Sequence, residues 1–291
     1  MIAPALETEG WQLGPVRPQQ PVGLPPYDRW TDPDGETIGE FYRFVSHFLV
    51  RFPDRADFEI AAGTLDVRAF PAEEGLEEVT DSLFHNAIVP LVGNYRGQLH
   101  LHGSAVVIDD AAYAFMGLSR RGKTTLAGAF AAAGHPYLTE DVVVLQHREG
   151  EACHVQPTRP VLRLFADSAQ HLLGADVEGV DDEAKSPVQA GGRLPFASRS
   201  FPLAGIYLLG PGEAEDVQIA GLAEHTALAE LMQNAFILDV EDKPRLRRHF
   251  ALLAGLAAET PCYALDFPRE YEQLPQVIGS IIAHARNERT K

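Results

Sequence analysis

The residues most able to do chemistry form one short stretch, Gly117-Leu118-Ser119-Arg120-Arg121-Gly122-Lys123-Thr124. It matches G-x-x-x-x-G-K-[ST], the pattern of the phosphate-binding P-loop, at every fixed position. In such a loop the backbone N–H groups surround phosphates, the lysine reaches the β- and γ-phosphates, and the hydroxyl binds Mg²⁺. The pattern therefore predicts a bound nucleoside triphosphate with its metal, and it leaves the phosphate acceptor open.

The segments on either side fit this interpretation. Residues 111–116 are a short apolar run that predicts a strand, and residues 124–133 predict a helix that ends at Gly134. A strand, a loop and a helix in this order place a helix N-terminus against the phosphates. The alternative is a glycine-rich turn between strand and helix that binds no ligand.

Composition restricts the remaining classes of function. The chain has 291 residues, is 45% hydrophobic and 22% charged, and has a formal net charge of −17. This composition indicates one large or two modest globular domains, and the acidity disfavours nucleic-acid binding. Cys153 and Cys262, the two cysteines, lack the spacing of a disulfide framework or a zinc site. No apolar run is long enough to span a membrane, and residues 1–26 do not resemble a secretory signal, so we expect a cytoplasmic protein.

The pattern of apolar residues divides the chain into three parts. Residues 1–26 are rich in Pro and Gln and predict an extended leader. Residues 27–96 predict a small β-rich α+β domain, with strands over 41–50, 58–60 and 64–70 and a helix over 81–91 that ends at Gly93 or Gly97. Residues 97–291 form the predicted domain that carries the P-loop.

A hairpin is predicted immediately before the P-loop. Residues 98–108 predict a strand, and only Asp109-Asp110 separate it from the next one. A parallel crossover needs a dozen or more residues, so these two strands must be antiparallel. Further predicted elements are strands at 142–145, 161–165 and 205–209, an acidic mobile loop over 174–192, and helices at 223–236, 244–258 and 270–286.

Several segments of this domain resemble the catalytic domain of HPr kinase/phosphorylase, a bacterial serine kinase with a P-loop. They are residues 101–107, 117–124, 133–135 and 138–143, best covered over 98–146. His102 lies 21 residues before Lys123, and Asp141 lies 18 residues after it, which are spacings similar to those of the family. Residues 160–164 and 201–207 resemble shorter relatives, some of which phosphorylate a serine of lasso-type precursor peptides.

The resemblance implies an α/β fold, a P-loop kinase of the HPr kinase/PEP carboxykinase type with a small N-terminal α+β domain. It implies that Asp141 is the catalytic base, that His102 orients the reacting groups, and that Lys123 neutralises the phosphates. Thr124, Glu140 and Asp141 would bind the metal. The predicted nucleotide-binding residues are Gly117, Ser119, Arg120, Arg121, Gly122, Lys123, Thr124 and Thr125.

Each of these side chains also has an ordinary structural interpretation. Asp141 could be a turn or cap residue, and His102 a packed core histidine. Side chains at variable loop positions, such as Arg120 and Arg121, more often point to solvent. Further arginines are candidates either for substrate contacts or for plain surface charge: Arg163, Arg193 and Arg199.

We therefore expect an ATP- and Mg²⁺-dependent kinase that phosphorylates a serine hydroxyl of a peptide or small protein. The alternatives are a nucleotide-binding regulatory or scaffold protein without transfer, and a small-molecule kinase. The family has an aspartate at the position of Glu140 and small residues at those of Arg120 and Arg121. The family's downstream glycine-rich segment, tied to the reverse, phosphorolytic reaction, has no clear counterpart here, and the first domain does not match the family's N-terminal domain. Together these differences disfavour phosphorylase activity and HPr itself as the acceptor. Glu140 and the altered loop would favour the nucleotide-binding protein without transfer. The sequence leaves the oligomeric state open, a homo-oligomer included.

Overall fold

The computed structural model describes residues 11–32, 34–147, 152–174, 186–192 and 194–290. The candidate Arg193, the start of the predicted leader and most of the predicted acidic loop lie outside these ranges. The chain is a mixed α/β protein that divides into two compact units. Among the described residues, the first unit contains those up to Gly97 together with Phe236–Leu246, and the second contains those between Gln98 and Ala235 and those from Arg247 onward. Residues 236–246, which the sequence pattern assigns to the domain with the P-loop, belong to the first unit.

The first unit is built on a six-stranded sheet in the order β1-β6-β5-β4-β3-β2. The predicted strand over 41–50 is in fact the end of one strand, a turn and a second strand. Part of the predicted leader is also a strand, β1, which pairs with β6. Trp11 in this strand stacks on Phe84, with ring centroids 4.2 Å apart. The bounds are β1 Trp11–Leu13, β2 Asp28–Thr31, β3 Thr37–Arg43, β4 His47–Phe52, β5 Ala56–Ala61 and β6 Val67–Pro71.

A bent helical segment follows the sheet. It consists of α1 (Glu77–Leu83), a π-helical turn (Phe84–Ile88) and α2 (Val89–Tyr95). The wide turn comes directly before Pro90, which has no N–H to donate to a regular helical hydrogen bond. Gly97, with φ of +91°, follows the helix, whereas Gly93 lies buried within α2. Of the two predicted stops, Gly97 is therefore the one that the structure uses.

The second unit contains an eight-stranded sheet in the order β11-β10-β7-β8-β14-β16-β15, with β9 paired to β7 and β11 paired also to β14. Strands β8, β14 and β16 are parallel to one another, and β7 is antiparallel to β8. A separate two-stranded sheet pairs β12 with β13. The bounds are β7 Leu99–Ile108, β8 Ala111–Met116, β9 Tyr137–Thr139, β10 Val142–Gln146, β11 His154–Gln156, β12 Val161–Leu164, β13 Ser186–Gln189, β14 Phe201–Leu209, β15 Gln218–Gly221 and β16 Cys262–Asp266.

The predicted hairpin between β7 and β8 is confirmed. Asp109 and Asp110 have φ of 46° and 61°, and a two-residue type I′ turn needs positive φ at both central positions. Arg286 donates to the carboxylate of Asp109 at 2.6 Å and 3.1 Å. The turn therefore lies at the end of the hairpin away from Gly117, where it is held by the C-terminal helix.

The three predicted C-terminal helices are confirmed with shifted bounds, and one further helix, α4, was not predicted. The helices are α3 Lys123–Ala132, α4 Ala166–Leu173, α5 Glu224–Gln233, α6 Lys243–Glu259 and α7 Leu274–Arg289. Helix α3 is buried along almost its whole length. A Cβ on Gly128 would lie 2.9 Å from Leu172, so small residues in α3 allow the neighbouring elements to approach closely. This packing fixes the start of α3 against the end of β8.

Candidate functional site

The loop between β8 and α3 needs both of its glycines. Gly117 has φ of +139°, and a Cβ there would lie 3.0 Å from the carbonyl oxygen of Leu209. Gly122 is the residue before α3 and has φ of +85°. Arg120 adds a third left-handed position, with φ of +63°. The loop therefore has a tight, specific backbone path, which side chains at either glycine would disturb.

Lys123 closes this loop from inside. Its ammonium group donates to the carbonyl oxygens of Gly117 at 2.7 Å and Leu118 at 2.9 Å. The side chain is buried, although lysine is almost never fully buried unless it is paired. A positive charge is therefore held within the loop at the N-terminus of a helix, which is the arrangement that attracts an anion.

The other predicted nucleotide-binding residues lie at different depths. Thr124 is buried in the first turn of α3, and Ser119 and Arg120 are exposed. Arg121 is half-buried. Thr125 shares a hydrogen bond with Ser168, between hydroxyl oxygens 3.2 Å apart. The structure thus brings these residues to one loop and helix start, with the predicted metal ligand Thr124 deepest.

Strand β7 connects this loop to the acidic pair. Gly103 lies opposite Met116 in the β7–β8 register, and its N–H donates to the carbonyl oxygen of Asp141 at 3.1 Å. Asp141 and the start of the loop are therefore separated by one strand, a distance of about 10 Å between backbones. A Cβ on Gly103 would lie 2.7 Å from the carbonyl oxygen of Phe115. The absence of a side chain at position 103 is what allows this close alignment.

His102 contacts the main chain of Asp141. Its ring Nδ1 lies 3.1 Å from the carbonyl oxygen of Asp141. Its backbone N–H donates to the carbonyl oxygen of Asn234 at 2.7 Å. The amide oxygen of Asn234 in turn accepts from the N–H of Gly117 at 3.2 Å. Asn234 therefore links the histidine strand to the loop, a role that the sequence did not reveal because a single asparagine after a helix carries no motif.

Ser104 is a second residue that sequence reasoning missed. Its buried hydroxyl donates to the carbonyl oxygen of Lys123 at 3.0 Å. This contact ties β7 to the first turn of α3. Together with Asn234 it fixes the loop from both ends.

Arg163 joins the two predicted acidic ligands. Its Nε donates to Glu140 at 3.0 Å, and its terminal nitrogen donates to the carboxylate of Asp141. Burial lowers the pKa of Arg163, but the charges of Asp141 and Glu140 outweigh this effect and raise it overall. Buried carboxylates need such a counter-charge. The position between Glu140 and Asp141 therefore favours a cation.

The predicted metal ligands have the chemistry that a hard divalent cation accepts. A hydroxyl from Thr124 and carboxylates from Glu140 and Asp141 are the oxygen ligands that Mg²⁺ accepts, usually with waters and phosphate oxygens completing its shell. The guanidinium of Arg163 already stands where positive charge is favoured. Within the described ranges, no three His, Cys, Asp or Glu side chains form a complete metal cage.

One candidate arginine lies away from this site. Arg199 donates to Asp110 at 3.2 Å and stacks over Phe201. Asp110 is in the hairpin turn, at the end of β8 opposite to Gly117. The interpretation of Arg199 as surface charge is therefore the one that its position favours.

Comparison with known proteins gives little beyond this geometry. No protein family matches the sequence, and no curated protein matches it. A solved structure of the HPr(Ser) kinase/phosphatase from Coxiella burnetii is similar, with 12% identity and a TM-score of 0.37, over 66% of this chain and 99% of that chain. Among the described residues, no helix is both long and apolar enough to cross a membrane.

Proposed function

We propose that this protein is an ATP- and Mg²⁺-dependent kinase that transfers phosphate to a serine hydroxyl of a peptide or small protein. One observation carries the proposal. Gly103 has Asp141 on one side and, on the other, Met116, the residue before the loop of residues 117–124. The ammonium group of Lys123 bonds to the main chain of that loop. A main-chain separation of about 10 Å between Asp141 and the start of a phosphate-binding loop leaves room for a γ-phosphate and an attacking hydroxyl.

The chemistry assigns a separate task to each side of this arrangement. On the loop side, Lys123 and the backbone N–H groups stabilise charge on the phosphates. On the other side, Asp141 accepts the proton of the serine hydroxyl while the serine oxygen bonds to the γ-phosphorus. The bond from that phosphorus to the β–γ bridging oxygen breaks, and ADP leaves with the electron pair.

The cation site has a defined place in this scheme. Mg²⁺, when bound, neutralises the phosphate oxygens and orients them. Thr124 would hold it from the loop, and Glu140 or Asp141 from the strand side. Arg163 supplies the compensating charge for the two carboxylates. We expect it to shift towards Glu140 when Asp141 takes up its catalytic role.

Positioning falls to groups that do not touch the substrate. His102 contacts the main chain at Asp141, and Asn234 holds both His102 and Gly117 through its backbone and side chain. Catalytic groups placed by such contacts lose little freedom when the substrate binds. This explains why a buried asparagine lies between the two halves of the site.

A second candidate function is nucleotide binding without transfer. The ion pair of Arg163 with Asp141 favours it, because a carboxylate engaged by a guanidinium is a weaker base. In that case the protein would act as a nucleotide-dependent regulator or scaffold.

Labelled ATP separates the two functions. The full chain is incubated with [γ-³²P]ATP, Mg²⁺ and a panel of serine-containing peptides of basic, neutral and acidic character, and nucleotide binding is measured by calorimetry in parallel. The kinase proposal expects label on a peptide and its loss in Asp141→Asn. Nucleotide binding with no labelled product from any acceptor would favour the regulator instead.

A further inference from the structure

The carboxyl ends of three parallel strands meet beside the 117–124 loop. Met116 in β8 lies opposite Leu208 in β14, and Leu208 lies opposite Ala264 in β16. Ligands of α/β proteins bind at this edge of the sheet. The residues that follow β16 therefore reach the loop from the side opposite to Asp141. The side chain that does so is Arg269.

Arg269 is held beside the loop by fixed contacts. It donates to the carbonyl oxygens of Phe267 at 2.9 Å and Gly210 at 2.8 Å, and its guanidinium lies over the Phe267 ring at 3.8 Å. A Cβ built on Gly122 would lie 3.9 Å from the Cδ of Arg269. The guanidinium is therefore pre-positioned next to the residue that starts the phosphate-facing helix α3.

The turn that carries these contacts is also fixed. The carboxylate of Asp266 accepts from the backbone N–H groups of Gly212 at 2.7 Å, Glu213 at 3.1 Å and Ala214 at 3.2 Å. Three such bonds occupy much of its accepting capacity. Its contact with Arg269 is long, at 3.4 Å. Asp266 is therefore committed to the turn and neutralises Arg269 only in part.

The charges around the loop are arranged for an anion. Burial lowers the pKa of Arg269, and the nearby charge of Arg121 lowers it further, although Asp266 acts in the opposite direction. Lys123 adds a third cation inside the loop. In the part of the chain that the structure describes, the buried Nε of Arg269 has no hydrogen-bond partner. A chain with a net charge of −17 thus places three cations together at one loop. Their mutual repulsion favours an anion that all of them can contact.

We infer that Arg269 is a further nucleotide-binding residue, which contacts phosphate oxygens from the side of the loop opposite to Asp141. This inference rests on the proposed function. Because Asp141 lies on the reacting side, Arg269 contacts the phosphates that stay with ADP. Its contribution is therefore to binding of both ADP and ATP, and it does not depend on transfer.

The test measures binding to the full chain by calorimetry with three probes: ATP with Mg²⁺, ADP with Mg²⁺, and inorganic tripolyphosphate. Arg269→Gln is expected to weaken all three by about tenfold, the size of one charge-assisted hydrogen bond. Arg269→Lys should be weaker than the native chain too, because lysine lacks the planar fork of donors. Arg286→Gln is the matched control, since that exposed arginine pairs with Asp109 at the far hairpin. It should bind all three probes normally.

The outcomes separate the inference from the proposed function. Normal nucleotide affinity in Arg269→Gln, with a native chain that binds ATP, overturns the inference and leaves the kinase proposal intact. Tripolyphosphate binding that depends on Arg269, with no nucleotide binding at all, overturns the proposed function alone. A native chain that binds none of the probes overturns both. If melting curves show that Arg269→Gln is unfolded, Arg269→Lys decides, and its unchanged affinity counts against the inference.

Discussion

The guanidinium of Arg163 donates to the carboxylate of Asp141 and also to that of Glu140. Both carboxylates are buried, and the arginine side chain keeps about a quarter of its exposure. One cation therefore compensates two acidic groups at the start of β10. The same contact stabilises the fold and limits the basicity of Asp141. Variants can measure the first effect as unfolding free energy and the second as the rate of phosphoryl transfer.

Arg163→Met should destabilise the second unit. It removes the guanidinium that contacts two buried carboxylates, and breaking a fully buried pair costs about 3–5 kcal/mol. Because Arg163 is partly exposed, we expect about 2 kcal/mol. Urea unfolding of the native and variant chains measures the difference. The control is Arg199→Met, whose pair with Asp110 is exposed and should matter little. Equal stability of Arg163→Met and the native chain would contradict the role of Arg163 as counter-charge.

Asp141→Asn should reduce phosphoryl transfer by about 100-fold or more, because a general base contributes roughly that much. Nucleotide affinity should change by less than about threefold, since the loop of residues 117–124 is untouched. The measurement is initial rate with labelled ATP, alongside calorimetry.

Glu140→Gln is the comparison for this change, because it removes the other carboxylate that Arg163 contacts and one of the proposed metal ligands. It alters the same ion-pair network but keeps the proposed base, so a loss of transfer should be recovered in part at higher Mg²⁺ concentration. An equal loss of transfer in both variants at saturating Mg²⁺ would count against Asp141 as the base.

Much of the second unit could be predicted from sequence because its signals are local. The loop of residues 117–124 has a fixed pattern, and the two-residue link at Asp109-Asp110 admits only a hairpin. Helices α6 and α7 have long apolar periodicities. These signals depend on neighbours along the chain, which a sequence displays directly.

The missed parts depend on partners far away in sequence. Strand β16 is a five-residue run between two helices, and its pairing with β14 is not visible locally. Asn234 lies 117 positions after Gly117, to which it bonds. Residues 41–50 have strand-forming side chains throughout, and only the turn after Arg43 divides them. Arg269 likewise reaches the loop through the order of the strands and not through any motif.

Gly103→Ala should disrupt the alignment of the site and the fold together. The added Cβ would lie 2.7 Å from the carbonyl oxygen of Phe115, and backbone cannot yield as a flexible side chain does. Overpacking of this kind costs about 1–3 kcal/mol. Thermal and urea unfolding measure the loss, and transfer should fall further than stability because Asp141 is displaced. Gly255→Ala is the control: nothing lies within 4 Å of its added Cβ, and it is within helix α6, so stability should be equal or slightly higher.

Acid should destabilise the second unit through His100. Burial, with a smaller contribution from His249, lowers the pKa of His100 to about 4. In the unfolded chain the imidazole of His100 therefore binds a proton near pH 6.5, whereas in the folded chain it binds one only near pH 4. The free energy of unfolding therefore has its full value, as far as His100 is concerned, above pH 6.5. It decreases by about 3 kcal/mol as the pH falls towards 4. Urea midpoints at pH 7.5, 6, 5 and 4.5 measure this slope.

The variant His100→Gln identifies the source of the slope, because glutamine does not titrate. It should flatten the change in unfolding free energy between pH 6.5 and 4.5 relative to the native chain, whatever its own stability at pH 7.5. His147→Gln is the control, since His147 is largely exposed and lies 4.0 Å from Glu259, itself exposed. The native chain and His147→Gln should show the same slope. A His100→Gln chain with an undiminished slope would assign the acid sensitivity to other groups, with His249, whose pKa burial also lowers, the next to test.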